Sequence, residues 1–138
     1  MAAPARLAAA ALASSALTGC SWWSGGSHES VASEVDAQMA SAMKAERLPP
    51  SAIPGGRLFG RAGCIACHTY AGVGERNVGG EDLTRAGRLG RPRRFFASYI
   101  RNPRRFGNRI MPVFGEAFSA RQLDQLATFL AASKGVAH

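Results

Sequence analysis

The sequence predicts an all-α domain of short helices joined by irregular, glycine-rich loops. Three observations lead there. Leu123, Leu126, Ala127 and Leu130 recur at the i, i+3, i+4, i+7 spacing of one helix face. Phe95, Phe96, Tyr99 and Ile100 form a second apolar face within the stretch Arg91 to Pro103. No segment alternates apolar and polar residues in the way a half-buried strand does.

The C-terminal helix is the best marked. Ser119-Ala120-Arg121-Gln122 is a capping-box pattern, in which the Ser and Gln side chains each satisfy a backbone N–H left free at a helix start. Phe129 adds an aromatic beside the leucine stripe. The helix should end near Ser133-Lys134-Gly135, with a cation in the last turn and Gly as the stop. The middle helix has Pro92 in its first turn, where a missing N–H costs nothing. Asn102-Pro103 stops it, because proline disfavours helical backbone in the residue before it. Further upstream, Val31, Val35, Met39 and Met43 recur every four residues, and Leu48-Pro49-Pro50 breaks the run. Residues 30–47 are expected to form a short helix within a spacer; a partner-binding role is the alternative.

Composition narrows the class. The chain has 138 residues, 46% of them apolar, which suits one globular domain and argues against wholesale disorder. Three cysteines, an odd number, are too few for a disulfide-rich scaffold. No apolar run reaches the roughly 18 residues of a membrane span, so a multi-span membrane protein is excluded.

The N-terminus carries a targeting pattern. Met1 to Arg6 has one positive charge, and Leu7 to Leu17 is uninterrupted and apolar but too short to span a bilayer. It runs into Leu17-Thr18-Gly19-Cys20, which resembles the lipobox of bacterial lipoproteins. That resemblance implies a signal peptide over residues 1–19, cleavage before Cys20 and lipidation of the Cys20 sulfur. An ordinary signal peptide, or a short anchor left uncleaved, is the alternative. On the lipoprotein reading the mature chain loses Arg6, falls from +8 to +7 and keeps an even pair of cysteines. Residues 20–53 then form a lipidated tether, Ser/Gly-rich over Ser21 to His28. Trp22 and Trp23 either dock that tether at the lipid interface or are solvated linker residues.

The chemistry lies in Cys64-Ile65-Ala66-Cys67-His68. C-x-x-C-H is the attachment signature of c-type haem. Two thiols add across the two porphyrin vinyl groups, and the adjacent His sits under the iron. The competing readings of the cysteine pair are weaker. A thioredoxin-like pair needs a βαβ setting, and no strands are in sight. A structural zinc site usually needs a second ligand pair, and the other histidines, His28 and His138, lie near the ends. A plain disulfide leaves His68 without a purpose.

Residues 54–138 are thus expected to form one domain, which over roughly residues 54–134 resembles the class I c-type cytochromes, small single-haem domains with three main helices and irregular loops around a covalent haem c. Gly55, Leu58, Phe59 and Gly63 fall where that family's N-terminal helix has a small residue, apolar residues and a glycine before the first Cys. The resemblance implies that this helix crosses the C-terminal one, with a glycine at the crossing. It also implies a methionine as second axial ligand, in a loop between the last two helices. Met111 is the one methionine after the motif, and Pro112 follows it as the family pattern has it. The alternative for Met111 is a core gap-filler. The family often has Trp where Tyr99 stands, so Tyr99 is expected either to reach a haem propionate or to be a core aromatic with its hydroxyl in water. Many relatives have Gly-Pro where Gly79-Gly80 stands here, and their Pro carbonyl orients the proximal His; Gly80 is expected to offer that carbonyl.

Nine arginines and no acidic residue lie between Arg85 and Arg109. They form either a plain solvated surface or a steering patch for acidic redox partners; anionic lipid or cell-wall polymer is a further candidate, and nucleic acid is not expected for an exported chain. The expectation is an extracytoplasmic, lipid-anchored one-electron carrier between membrane-facing redox proteins, such as a quinol-oxidising complex and a terminal oxidase. His68 and Met111 would close both axial positions, so no small-molecule substrate and no enzyme activity are expected. The alternatives are the fixed haem subunit of one dehydrogenase or oxidase, and a ligand-sensing haem protein with an open iron.

Overall fold

A computed structural model describes residues 27–136; the signal segment, Cys20, Trp22 and Trp23 lie outside the described residues. Within them the fold is all-α, as expected, with helices α1 (Ser27–Ala45), α2 (Ile53–Arg61), α3 (Arg93–Arg101) and α4 (Ala120–Ala132). One two-residue hairpin, β1 (Thr69–Tyr70) and β2 (Val73–Gly74), is the exception. Its strands pair antiparallel, Thr69 opposite Gly74 and Tyr70 opposite Val73. The turn takes positive φ at Ala71 (47°) and Gly72 (81°), the geometry of a tight primed turn. Two residues a side are too few to leave an alternating pattern in sequence. No helix among the described residues is long and apolar enough to cross a membrane.

Helix α4 is the centre of the core, packed by α2 and by α3. Its capping box is formed: the Ser119 N–H donates to Gln122 Oε1 at 2.9 Å, and the Gln122 N–H donates to Ser119 Oγ at 3.3 Å. Leu123, Leu126, Ala127, Phe129 and Leu130 are all buried. The Phe129 ring lies 5.4 Å from Phe59 and 4.7 Å from Tyr70, centroid to centroid. The crossing glycine is Gly55. A Cβ there would stand 2.0 Å from the Gln125 carbonyl oxygen and 2.7 Å from Phe129 Cβ, so only a residue without a side chain lets the two backbones meet.

The segment read as a spacer is in part core. Its helix forms, over Ser27–Ala45 rather than 30–47, but Met39 and Met43 are 0% and 1% exposed. They pack on Gly60 and Gly56 of α2, with Val35 also against Gly60. The contact order, 43 with 56 and 39 with 60, makes α1 antiparallel to α2. At the far end Arg61 Nε donates to both Asp36 oxygens at 2.9 Å, and that hydrogen bond holds the Asp36 carboxyl below its ordinary pKa. The other end of α1 is tied to the C-terminal segment, where the Val136 N–H donates to Glu46 Oε2 at 2.9 Å. Helix α1, upstream of residue 54, is therefore part of the folded unit. The physical reason is that α2 is nine residues long and turns glycines outward on this face, so its apolar surface stays in water unless another helix covers it.

Candidate functional site

The first wall of the site is the loop after α2. Cys64–Ala66 makes a single 3-10 turn, and the N–H groups of Cys67 and His68 donate to the Cys64 carbonyl at 3.2 and 3.0 Å. This coil brings Cys64, Cys67 and His68 to one side of a hollow. The two thiols are free, not bridged to each other. Burial pushes the Cys64 thiol up to about 11.

The hairpin sets the histidine. The Leu83 N–H donates to the Thr69 carbonyl at 2.9 Å, and the Ala71 N–H donates to Thr84 Oγ1 at 2.7 Å. These bonds pin the returning chain beside His68, with the Glu81 carbonyl 3.1 Å and the Glu81 N–H 3.2 Å from His68 Nδ1. An Nδ1–H donating to that carbonyl leaves Nε2 with its lone pair free to bind a metal. The expected orienting carbonyl was that of Gly80; the structure gives it to Glu81, one residue later. Gly80 has another task. A Cβ on it would stand 1.7 Å from the Cys67 carbonyl oxygen, so the chain passes too close to the attachment loop for any side chain. That close pass is what presents the next carbonyl to the ring.

The second wall is the loop between α3 and α4, which carries Met111. The Asn108 side chain organises it: Oδ1 accepts from the N–H groups of Ile110 and Met111, both at 3.0 Å. Asn108 Nδ2 in turn donates to the Tyr99 hydroxyl at 2.9 Å. Tyr99 thus has a partner that the sequence reading, with its propionate or water, did not give it. Its ring packs on Phe95 and Phe106, at 5.8 and 5.2 Å. Sequence reasoning missed Asn108 as a functional residue. Its one signal was position, since Asn commonly bonds backbone N–H groups two and three residues on.

Two adjoining hollows lie between these walls, of about 720 and 850 Å3 counting the space open to solvent. His68, Gly79, Asn108 and Met111 line both. The rest of the lining is largely apolar: Ile110, Pro112 and Phe114 in one, Leu83, Phe95, Ile100 and Leu130 in the other. The apolar face of α3 is therefore split. Phe96 and Ile100 are buried, while Phe95 and Tyr99 are half-buried. Two free thiols, an oriented imidazole and a thioether on one apolar hollow fit a flat, apolar, covalently held iron porphyrin.

Fold and site together define a c-type cytochrome domain of class I, with haem c attached through Cys64 and Cys67. The chain belongs to the family described as cytochrome c oxidase, cbb3-type, subunit III, whose model matches residues 50–130. No curated protein and no solved structure matches it. Haem-based electron transfer follows from that membership.

The nine arginines from Arg85 to Arg109 are all exposed. Arg93 pairs with Asp124 at 3.3 Å, Arg88 donates to the Lys134 carbonyl, and the Arg91 guanidinium lies 5.1 Å from the Phe95 ring centroid. The basic stretch is thus a surface, with a few members used locally.

Proposed function

We propose that the protein is a one-electron carrier, held outside the cytoplasm on a bacterial membrane by a lipid on Cys20. The observation that carries this reading is that Met111 lines the same hollow as His68 and the two thiols. The chain then supplies both axial ligands, and no position on the iron is left for a substrate. Haem iron bound there supplies reversible exchange between its ferric and ferrous states. The chain's part is to hold that iron: the Glu81 carbonyl fixes the His68 ring, and a thioether on the other face favours the ferrous state and raises the potential. The apolar lining excludes water from the ligand pair. On this reading the protein is not an enzyme. Its exposed arginines draw in acidic redox partners, because opposed charge raises encounter rates. The lipobox-like Leu17-Thr18-Gly19-Cys20 supports export and anchoring.

A second reading is favoured by the family's description, which is that of an oxidase subunit: the domain is a fixed haem subunit of a larger complex. Purification from membranes in mild detergent separates the two, since a subunit copurifies with its complex and a carrier does not.

The ligand pair is tested on protein made in a host that attaches haem c. Sharp low-spin bands, a methionine-to-iron charge-transfer band in the oxidised form, and no response of the reduced form to carbon monoxide are expected. Met111→Ala should lose the charge-transfer band, bind carbon monoxide and have a lower potential. A wild-type spectrum that is high-spin and shifts with carbon monoxide would overturn the carrier reading in favour of a sensor or enzyme.

A further inference from the structure

We propose that Asn108 is a positioning residue for the axial methionine: it holds Met111 in ligating position through the backbone, and Tyr99 holds Asn108. The inference rests on Met111 being the second ligand. Among the described residues, 109–113 make no backbone-to-backbone hydrogen bond. The loop is also poorly packed, with Arg109, Ile110, Pro112 and Val113 exposed. Its hydrogen-bonded tether is therefore the Asn108 side chain, which accepts from both Ile110 and Met111 at 3.0 Å. Asn108 is itself placed at two points. Its N–H donates to the Pro103 carbonyl at 3.2 Å, and its Nδ2 donates to Tyr99 on α3 at 2.9 Å. Tyr99 is seated by Phe95 and Phe106, and the loop beyond returns to α3 where the Phe114 N–H meets the Ile100 carbonyl. A rigid helix thus fixes the orientation of a loop that cannot fix itself. A thioether is a weak, neutral ligand, so its occupancy of the iron depends on how little freedom the loop gains when it lets go.

The reading is tested by competition. Imidazole added to the ferric holoprotein displaces Met111, and its apparent affinity rises as the population with Met111 released rises. Asn108→Ala removes the bond to Tyr99 and both bonds to the loop; the two loop bonds, of ordinary strength, correspond to about a tenfold tighter apparent imidazole affinity. The charge-transfer band should also be lost at a lower guanidinium concentration than in wild type, while global unfolding moves less. Asn108→Asp keeps an oxygen acceptor for both N–H groups and should restore near wild-type imidazole affinity. Tyr99→Phe removes one partner of Asn108 and should tighten imidazole by about threefold; it also serves if the Ala variant does not fold. The proposal is overturned if Asn108→Ala and Tyr99→Phe leave imidazole affinity unchanged, or if the Asp variant behaves as the Ala variant does. A wild-type protein without a charge-transfer band is a different result: it removes the methionine ligand itself.

Discussion

Replacing Met39 by Ala decides whether the first helix belongs to the fold or hangs from it. A tether residue would cost nothing to truncate. Met39 is instead 0% exposed, wedged against Gly60 of α2. Truncating a buried Met to Ala costs about 2–5 kcal/mol, the transfer free energy of the lost atoms plus the cavity they leave. Gly60 has no side chain with which to fill that cavity, which argues for the upper half of the range. For a domain of this size such a loss lowers the melting temperature by on the order of 10 °C or more. Val31→Ala is the internal control, because Val31 lies on the same helix but is 60% exposed, and exposed substitutions move stability by about 0.5 kcal/mol or less. The assay is guanidinium and thermal unfolding of the ferric holoprotein, followed at the haem band and by circular dichroism. If Met39→Ala costs no more than Val31→Ala, α1 is not part of the core and the argument from burial fails.

Gly55→Ala sets two effects against each other. Helix propensity alone favours Ala by about 1 kcal/mol, but the new Cβ would stand 2.0 Å from the Gln125 carbonyl, a backbone atom that cannot swing aside. Overpacking costs typically about 1–3 kcal/mol, so the guanidinium midpoint should fall; a rise would refute the close crossing. Tyr70→Phe should be neutral or stabilising, because the Tyr70 hydroxyl is buried without a hydrogen-bond partner. The same burial pushes the Tyr70 pKa up to about 12. The folded state therefore prefers the neutral phenol, and stability that is full below the ordinary value of 10.0 is lost as pH rises towards about 12. Unfolding titrations should find that Phe removes this alkaline decline, and an unchanged decline would move its origin elsewhere. Finally, oxidation of the reduced protein by ferricyanide, an anion, should slow as ionic strength rises. Stopped-flow rates insensitive to salt would mean that the exposed arginines do not steer.

The features that were legible in sequence are those fixed within a few residues. The capping box at Ser119 and Gln122 and the stripe from Leu123 to Leu130 depend only on helix geometry. Cys64, Cys67 and His68 announce themselves because covalent attachment to one porphyrin dictates their spacing. Gly55 at the helix crossing came from the resemblance and not from any local pattern. What sequence left open depended on partners distant along the chain. The four-residue repeat of Val35, Met39 and Met43 marks a helix, but a free amphipathic helix and a docked one carry the same repeat. Only the facing glycines of α2 decide between them. Likewise the carbonyl beside His68 is that of Glu81 and not Gly80, because the chain is placed by the Leu83 N–H donating to the Thr69 carbonyl and the Ala71 N–H donating to Thr84 Oγ1.

By itself, then, the sequence determined the cofactor, the attachment atoms and the two helices α3 and α4, because local periodicity and covalent chemistry act over short separations. The tertiary structure decided that α1 joins the core, which carbonyl lies against the histidine, and that the Asn108 side chain bonds both Tyr99 and the Met111 loop. Those are questions of which surface is left uncovered and which polar group is left unpaired, and they are answered only when the chain closes on itself.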